Sequence, residues 1–112
     1  MKKLKWLGSS LKDVKKFPQK AKAEVGYQLH QIQCGFEADD WKPMKTIGQS
    51  VKEVRIHTDS EFRVIYTAKF EENIYVIHAF NKKTQKTNDL DISVAKKRFN
   101  NLVSWRIQNG YD

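Results

Sequence analysis

Two hydrophobic periods divide the chain. Apolar residues recur every three or four positions up to about residue 33, alternate with polar ones between about 51 and 81, and return to the longer period from about 89. The longer spacing gathers apolar side chains on one stripe of a helix; alternation gathers them on one face of a strand. Residues 9 to 17 read as a short helix, with Ser10 as cap, Asp13 three residues on, and Leu11, Val14 and Phe17 at helical spacing. Pro18 restarts the chain into a second helix reaching Gln33, with Ala21, Val25, Leu29 and Ile32 as its stripe and Gly35 as its stop. Gly26 inside it is unfavourable by roughly 1 kcal/mol relative to alanine, and is expected to mark close packing against another element. Residues 35 to 50 carry Gly35, Asp39-Asp40, Pro43 and Gly48 without a sustained period and read as loop, pinned to the body by Trp41 and Met44.

Three stretches rich in Val, Ile, Tyr, Phe and Thr follow: Val51 to Thr58, Glu61 to Phe70 and Asn73 to Asn81, separated only by Asp59-Ser60 and Glu71-Glu72. Connections this short leave no room for crossover helices, so the strands pair as an antiparallel meander. Val54 and Ile56 point one way, Glu53, Arg55 and His57 the other. In the next strand Phe62, Val64, Tyr66 and Ala68 oppose Arg63, Ile65, Thr67 and Lys69. One face is therefore apolar and the other carries cations. A polar loop from Lys82 to Asn88 leads to a last helix beginning near Asp89, with Ile92, Ala95, Phe99, Leu102 and Arg106 as its stripe and Asn109-Gly110 closing it. Leu4 to Leu7 is short enough to be an edge strand. The expected fold is α+β in one domain spanning residues 1–112: N-terminal edge strand, helical hairpin, three-stranded antiparallel meander and C-terminal helix.

Composition sharpens this picture. The 112 residues hold 21 Lys+Arg against 13 Asp+Glu, a net charge of +8, with 39% hydrophobic residues. That suffices for a modest core, and the charge points to a polyanionic partner, although an ordinary basic protein has the same balance. The single cysteine, Cys34, excludes an internal disulfide and a Cys-based zinc cluster, and is expected to be a small buried hydrophobe. The N-terminal lysines precede no apolar signal region, and no run approaches the roughly 20 apolar residues of a membrane span. A cytoplasmic protein with no membrane association is expected. No exposed apolar stripe is left over once the core is assigned, so the free chain is expected to be monomeric.

Candidate chemistry is narrow. His30, His57 and His78 are far apart in sequence, and the chain has neither a Gly-rich phosphate loop nor a Gly-x-Ser-x-Gly elbow, so neither a metal nor an organic cofactor is expected. What remains is cationic: Arg55, Arg63 and Lys69 on strands, then Lys82, Lys83 and Lys86 directly after the third strand, with His57, His78 and Tyr66 as titratable or stacking groups. A charge in mid-strand must reach water, and an open cationic face beside aromatic rings suits RNA. The alternative is that Arg55 and Arg63 pair with Glu53 and Glu61 across strands.

The stretch Trp6-Leu7-Gly8-Ser9-Ser10-Leu11-Lys12-Asp13, followed by Phe17-Pro18, then Gly26-Tyr27 with Leu29 and Gly35, resembles the phage-derived, HigB-like toxins of the RelE/ParE superfamily. So do "VKEVRI", "FRVIYTAKF", "IYVIHAFNKKTQKT" and the closing "DISVAKKR", an ordered set covering roughly residues 5 to 105. The resemblance implies the toxin of a type II toxin-antitoxin system, held inactive by an antitoxin with a helix-turn-helix DNA-binding domain. Operator DNA is then contacted only through that antitoxin. It also implies a ribosome-dependent, metal-independent mRNA endonuclease, with ribosome and mRNA as partners. Such cleavage needs a 2′-hydroxyl made nucleophilic toward the next phosphate, a proton donor for the departing 5′-oxygen and cations for the phosphoryl charge. A lysine base needs a lowered pKa, which a neighbouring cation supplies.

Position by position, the resemblance assigns Arg63 and Lys82 to the scissile phosphate and Arg55 or Lys83 to acid/base support. Tyr66 and His78 are assigned to proton transfer or base stacking, and Lys69 and Lys86 to RNA contacts. RelE-type sites carry a tyrosine by the final helix, whereas no tyrosine occurs here between Tyr75 and Tyr111. Two other functions are compatible with the same fold: a non-catalytic ribosome- or RNA-binding inhibitor, and a gyrase-directed toxin of the same superfamily.

Overall fold

Strand alternation on two faces and stripes on three helices require a layered solution, in which each apolar surface covers another. The computed structural model describes residues 1–83 and 88–111. It contains β1 (Lys3–Trp6), α1 (Ser10–Lys15), α2 (Gln19–Gln33), β2 (Trp41–Pro43), β3 (Val51–His57), β4 (Glu61–Thr67), β5 (Asn73–Asn81) and α3 (Asp89–Gln108). The strands form one mixed sheet in the order β1-β5-β4-β3-β2. The α+β arrangement of edge strand, helical hairpin, meander and final helix is the one observed. β1 lies parallel to β5, Lys3 opposite Asn73 and Trp6 opposite Val76.

The region expected to be wholly loop contains β2, antiparallel to β3 with Trp41 opposite Val54. Three residues are too few to show a period, and the edge position tolerates Pro43. On one face of the sheet, Val14, Phe17, Ala21, Val25, Leu29 and Ile32 of the hairpin pack on Val54, Ile56, Phe62, Val64, Tyr66 and Val76. On the other, Ala95 and Phe99 of α3, together with Met44 and Ile47, pack on Val51, Ile65 and Ile77. This second face is therefore covered over part of its area. It is not open throughout, because the apolar Val51, Ile65 and Ile77 among its polar neighbours also need burial.

Local details differ from expectation where tertiary contacts intervene. The cap of α1 is Ser9, whose hydroxyl donates to Asp13 Oδ2 at 2.7 Å; Ser10 is buried in the first turn and its hydroxyl donates to the Val76 carbonyl at 3.1 Å. A buried hydroxyl must find an acceptor, and β5 supplies it. α3 is capped by Asn88, whose side chain accepts from the Asp91 N–H at 2.9 Å. Cys34 is exposed at the C-terminal end of α2, not buried.

Gly26 does not mark close packing. It is exposed, and a Cβ there would meet nothing within 4 Å. The close approach is at Gly48, where a Cβ would lie 2.5 Å from the Phe99 ring. Gly26→Ala is accordingly expected to stabilise the fold by about 1 kcal/mol, raising the urea midpoint at unchanged slope. An unchanged or lower midpoint would mean that the helix surface at Gly26 is not free. Among the described residues, no helix is long and apolar enough to cross a membrane.

Candidate functional site

β3 and β4 pair in a register that sets Arg55 opposite Arg63, and β5 sets Phe80 opposite Arg63. All three point to the second face, where Phe80 packs against the cluster that holds Ala95 and Phe99 of α3. Like charges directly opposite repel, so each guanidinium has a carboxylate. Arg63 Nε lies 3.8 Å from Glu53 Oε1 and its Nη1 lies 3.1 Å from Glu61 Oε1, while Nη1 also donates to the Phe62 carbonyl at 2.9 Å. Glu53 is fully buried and also lies 3.8 Å from Lys42 Nζ. Arg55 Nη1 is 4.0 Å from Asp40 Oδ1, and the Arg55 N–H donates to the Asp40 carbonyl at 2.8 Å, which holds that loop residue in place.

Lys82 joins this cluster through its main chain, whose N–H donates to the Glu61 carbonyl at 2.7 Å. Its ammonium is held below the usual lysine range, first by burial and then by the positive charge of Arg63; Glu53 pulls the other way, and Lys42 and Arg55 add smaller lowering effects. Arg55, Arg63, Lys42 and Lys82 thus act on one another around one buried carboxylate. Lys83 is exposed one residue further on.

The structure does not bring the remaining sequence candidates to this patch. Tyr66 is 1% exposed on the opposite face, among the residues that the hairpin covers, and burial pushes its phenol far up. It has no surface to offer a base, as its place in the strand alternation implies. Lys69 follows the other end of β4, with Nζ 5.3 Å from the Phe70 ring. His78 is buried, with Nε2 2.7 Å from Asp91 Oδ1 and Nδ1 3.4 Å from Arg98 Nη1. Arginine can only donate, so Nδ1 accepts and the Nε2 proton goes to Asp91. Both ring nitrogens are engaged in fastening α3 to β5, which leaves no ring nitrogen for external proton transfer. Lys86 lies outside the described residues. Arg63 is at the patch but is 5% exposed and held by its carboxylates, so its contribution is its field. The cross-strand pairing alternative is the one realised for Arg63; for Arg55 the partner is Asp40.

Sequence reasoning missed Phe80, Lys42, Asp40 and the role of Glu53. Phe80 is half-buried and stacks on His78 with ring centroids 5.2 Å apart, so it is the aromatic surface beside the cations. The signal was hidden by a bulge: Ile65 faces His78 but Tyr66 faces Val76, which inserts Ile77 and resets the alternation of β5.

At the rim of the patch, His57 bridges two carboxylates, with Nε2 2.5 Å from Asp40 Oδ2 and Nδ1 2.8 Å from Glu61 Oε1. The hydrogen bond that His57 donates to Asp40, then the one it donates to Glu61, raises its pKa above the ordinary 6.5. A raised folded-state pKa contributes stability that is complete below the unfolded value and lost as pH rises through the folded one. The thermal midpoint is therefore expected to fall as pH rises from 6.5 upward, and His57→Gln to flatten that slope. Equal slopes in both proteins would show that the bridge does not form in solution.

A profile of phage-derived Gp49-like proteins (DUF891) matches residues 12–100, from α1 into α3 and across every residue of the patch. The chain belongs to this family. It is a RelE/ParE-like toxin family, and the mixed sheet with helices on both faces agrees with that fold. No individually curated protein matches the sequence. In this Gp49-like chain the matched segment holds Arg55, Arg63 and Lys82 together with Glu53, the buried carboxylate around which they gather.

Proposed function

We propose that this Gp49-like protein is the HigB-like toxin of a type II toxin-antitoxin system and acts as a ribosome-dependent mRNA endonuclease. The single observation that carries the reading is the placement of Lys82, a half-buried lysine whose pKa is lowered, beside Arg63, Lys42 and Arg55, with the exposed Lys83 next to it in the chain. A neutral amine there takes the proton of the 2′-hydroxyl. The resulting oxygen attacks the adjacent phosphorus, the bond to the 5′-oxygen breaks, and that oxygen leaves with a proton from the exposed Lys83. The products are a 2′,3′-cyclic phosphate and a 5′-hydroxyl end. Arg55 and Lys42 take the charge that builds on the phosphoryl oxygens, and Arg63 adds its field from below. Lys82 thereby moves from phosphate contact to proton transfer, because its environment favours the neutral form that a base needs. Phe80 offers the stacking surface first sought at Tyr66.

Message on the translating ribosome is the substrate of this scheme, and the ribosome and an antitoxin with a helix-turn-helix domain are its partners. Induction without the antitoxin should arrest growth and translation, and mapping of 5′ ends should find new cuts inside translated codons. A message with a single 2′-deoxy at the cut position should resist cleavage. Stalled translation with intact mRNA would instead show a non-cutting ribosome inhibitor. A DNA-damage response with an intact message pool would show a gyrase poison.

A further inference from the structure

β1 pairs with only the first part of β5, from Asn73 to Val76. Beyond Val76 the outer side of β5 is flanked by α1, whose Ser10 hydroxyl donates to the Val76 carbonyl. Between the C-terminal end of α1 and residues 78–81 lies a pocket of about 410 Å3, in the roughly 300–1,000 Å3 class of small-ligand sites. Phe17, Phe62 and Ala79 are buried core residues and form its apolar floor; Asp13, half-buried, and Lys16 and Pro18, exposed, stand at its rim.

Strand register says which peptide groups face this pocket. The Lys82 N–H donates to the Glu61 carbonyl, and Phe80 lies opposite Arg63 in the same ladder, so the peptide groups of residues 80 and 82 point inward to β4. Those of Ala79 and Asn81 then point outward, because successive residues of a strand turn their N–H and C=O to opposite edges. Among the described residues, nothing on the outer side of β5 bonds to them. Polar groups at a sheltered edge call for a partner. An added strand does not fit, since α1 flanks the edge where it would lie.

What fits is a flat group with an apolar face and donors and acceptors along its rim, which describes a nucleobase. Asp13 narrows the choice. Its Oδ2 accepts from Ser9 Oγ at 2.7 Å, which fixes the carboxylate, and further acceptor sites remain on it. An ionised carboxylate takes two donors side by side, and among the RNA bases guanine presents such a pair, N1–H with its 2-amino group. The pocket also adjoins the cation patch: Asn81 lines it, and Lys82 is the next residue.

We propose that this pocket is the base subsite of the reaction and takes guanine from the nucleotide beside the cut. Asp13 accepts from N1–H and the 2-amino group, the Asn81 N–H donates to O6, and Lys16 meets a flanking phosphate. The inference rests on the endonuclease reading for the identity of the substrate and adds a preference for one base.

The test uses the full chain, the four nucleoside 5′-monophosphates and amide NMR. Guanosine monophosphate should shift the Asp13, Ala79 and Asn81 amides and bind about fivefold or more tightly than the other three, the discrimination a bidentate pair supplies. Asp13→Asn should lose that preference, and Lys16→Glu should weaken all four alike; an unchanged thermal midpoint checks the fold of each. In mapped messages, guanine should stand at one fixed position next to the cuts, and Asp13→Asn should remove that bias. Equal affinity for the four, shifts confined to the Arg55–Lys82 patch, or a guanine preference that survives in Asp13→Asn would each overturn the proposal. The two readings fail separately. Guanosine monophosphate in the pocket with uncut message on induction supports the guanine site while overturning the endonuclease; cuts without guanine bias and without pocket shifts overturn the site and leave the endonuclease.

Discussion

Lys82→Ala is expected to restore growth to cells expressing the protein and to slow cleavage of ribosome-bound message by about 10²- to 10³-fold. The urea midpoint should hardly move, because the side chain is only half-buried and the main-chain bond that anchors residue 82 to Glu61 is kept. Lys82→Arg separates charge from proton transfer: it keeps a cation at the site but not a base, since guanidinium does not deprotonate in proteins. Binding of message should survive this change while cleavage is lost. pH supplies an independent reading. Lys82 titrates below the ordinary 10.5, so the neutral base becomes more populated as pH rises toward that lowered value. The cleavage rate should climb with pH in the alkaline range and lose that climb in Lys82→Arg. A folded Lys82→Ala protein as toxic as the parent would place the chemistry elsewhere.

Arg63→Met is expected to destabilise the fold by about 3 kcal/mol, toward the lower end of what breaking a buried ion pair costs. Glu53 is fully buried and Arg63 is 5% exposed, so removal of the guanidinium strips a buried carboxylate of a cation 3.8 Å away; Lys42 remains at 3.8 Å and limits the loss. Adding Glu53→Gln to Arg63→Met should recover part of the deficit, because the buried negative charge goes with the positive one. Urea unfolding of the two single variants and the double variant measures this coupling directly. The same geometry changes how a loss of toxicity at Arg63 is read. Arg63→Met removes fold as well as charge, whereas Arg55→Ala, at a side chain 35% exposed, removes mainly charge. If Arg63→Met were as stable as the parent, the Glu53-centred pairing would not exist in solution.

Much of this arrangement was legible beforehand, and the reasons are local. Alternation along β3 and β4 needs only neighbouring residues, and it placed Val54, Ile56, Phe62 and Val64 against the helices and Arg55 and Arg63 on the other side. It also placed Tyr66 with the core, so the assignment of Tyr66 to RNA conflicted with the chain's own pattern. Gly26 shows the reverse limit: a glycine in a helix can mean close packing or nothing, and only the open space around its Cα distinguishes them. β2 has three residues, too few for any period to register. The bulge at Ile77 turned His78 toward Asp91 and Arg98, and no spacing rule anticipates an inserted residue whose position depends on the partner strand.

The amino-acid order alone determined every element but β2, their succession and the side of the ribbon on which Arg55 and Arg63 lie, because these follow from side-chain periods of two and 3.6 and from local capping. Tertiary structure alone decided which charges meet. Glu53 between Arg63 and Lys42, His57 between Asp40 and Glu61, and the pocket between α1 and the edge of β5 all depend on strand register and on how the helices lie on the sheet. Those are set by the summed packing of residues distant in the chain, and no short window of sequence contains that sum.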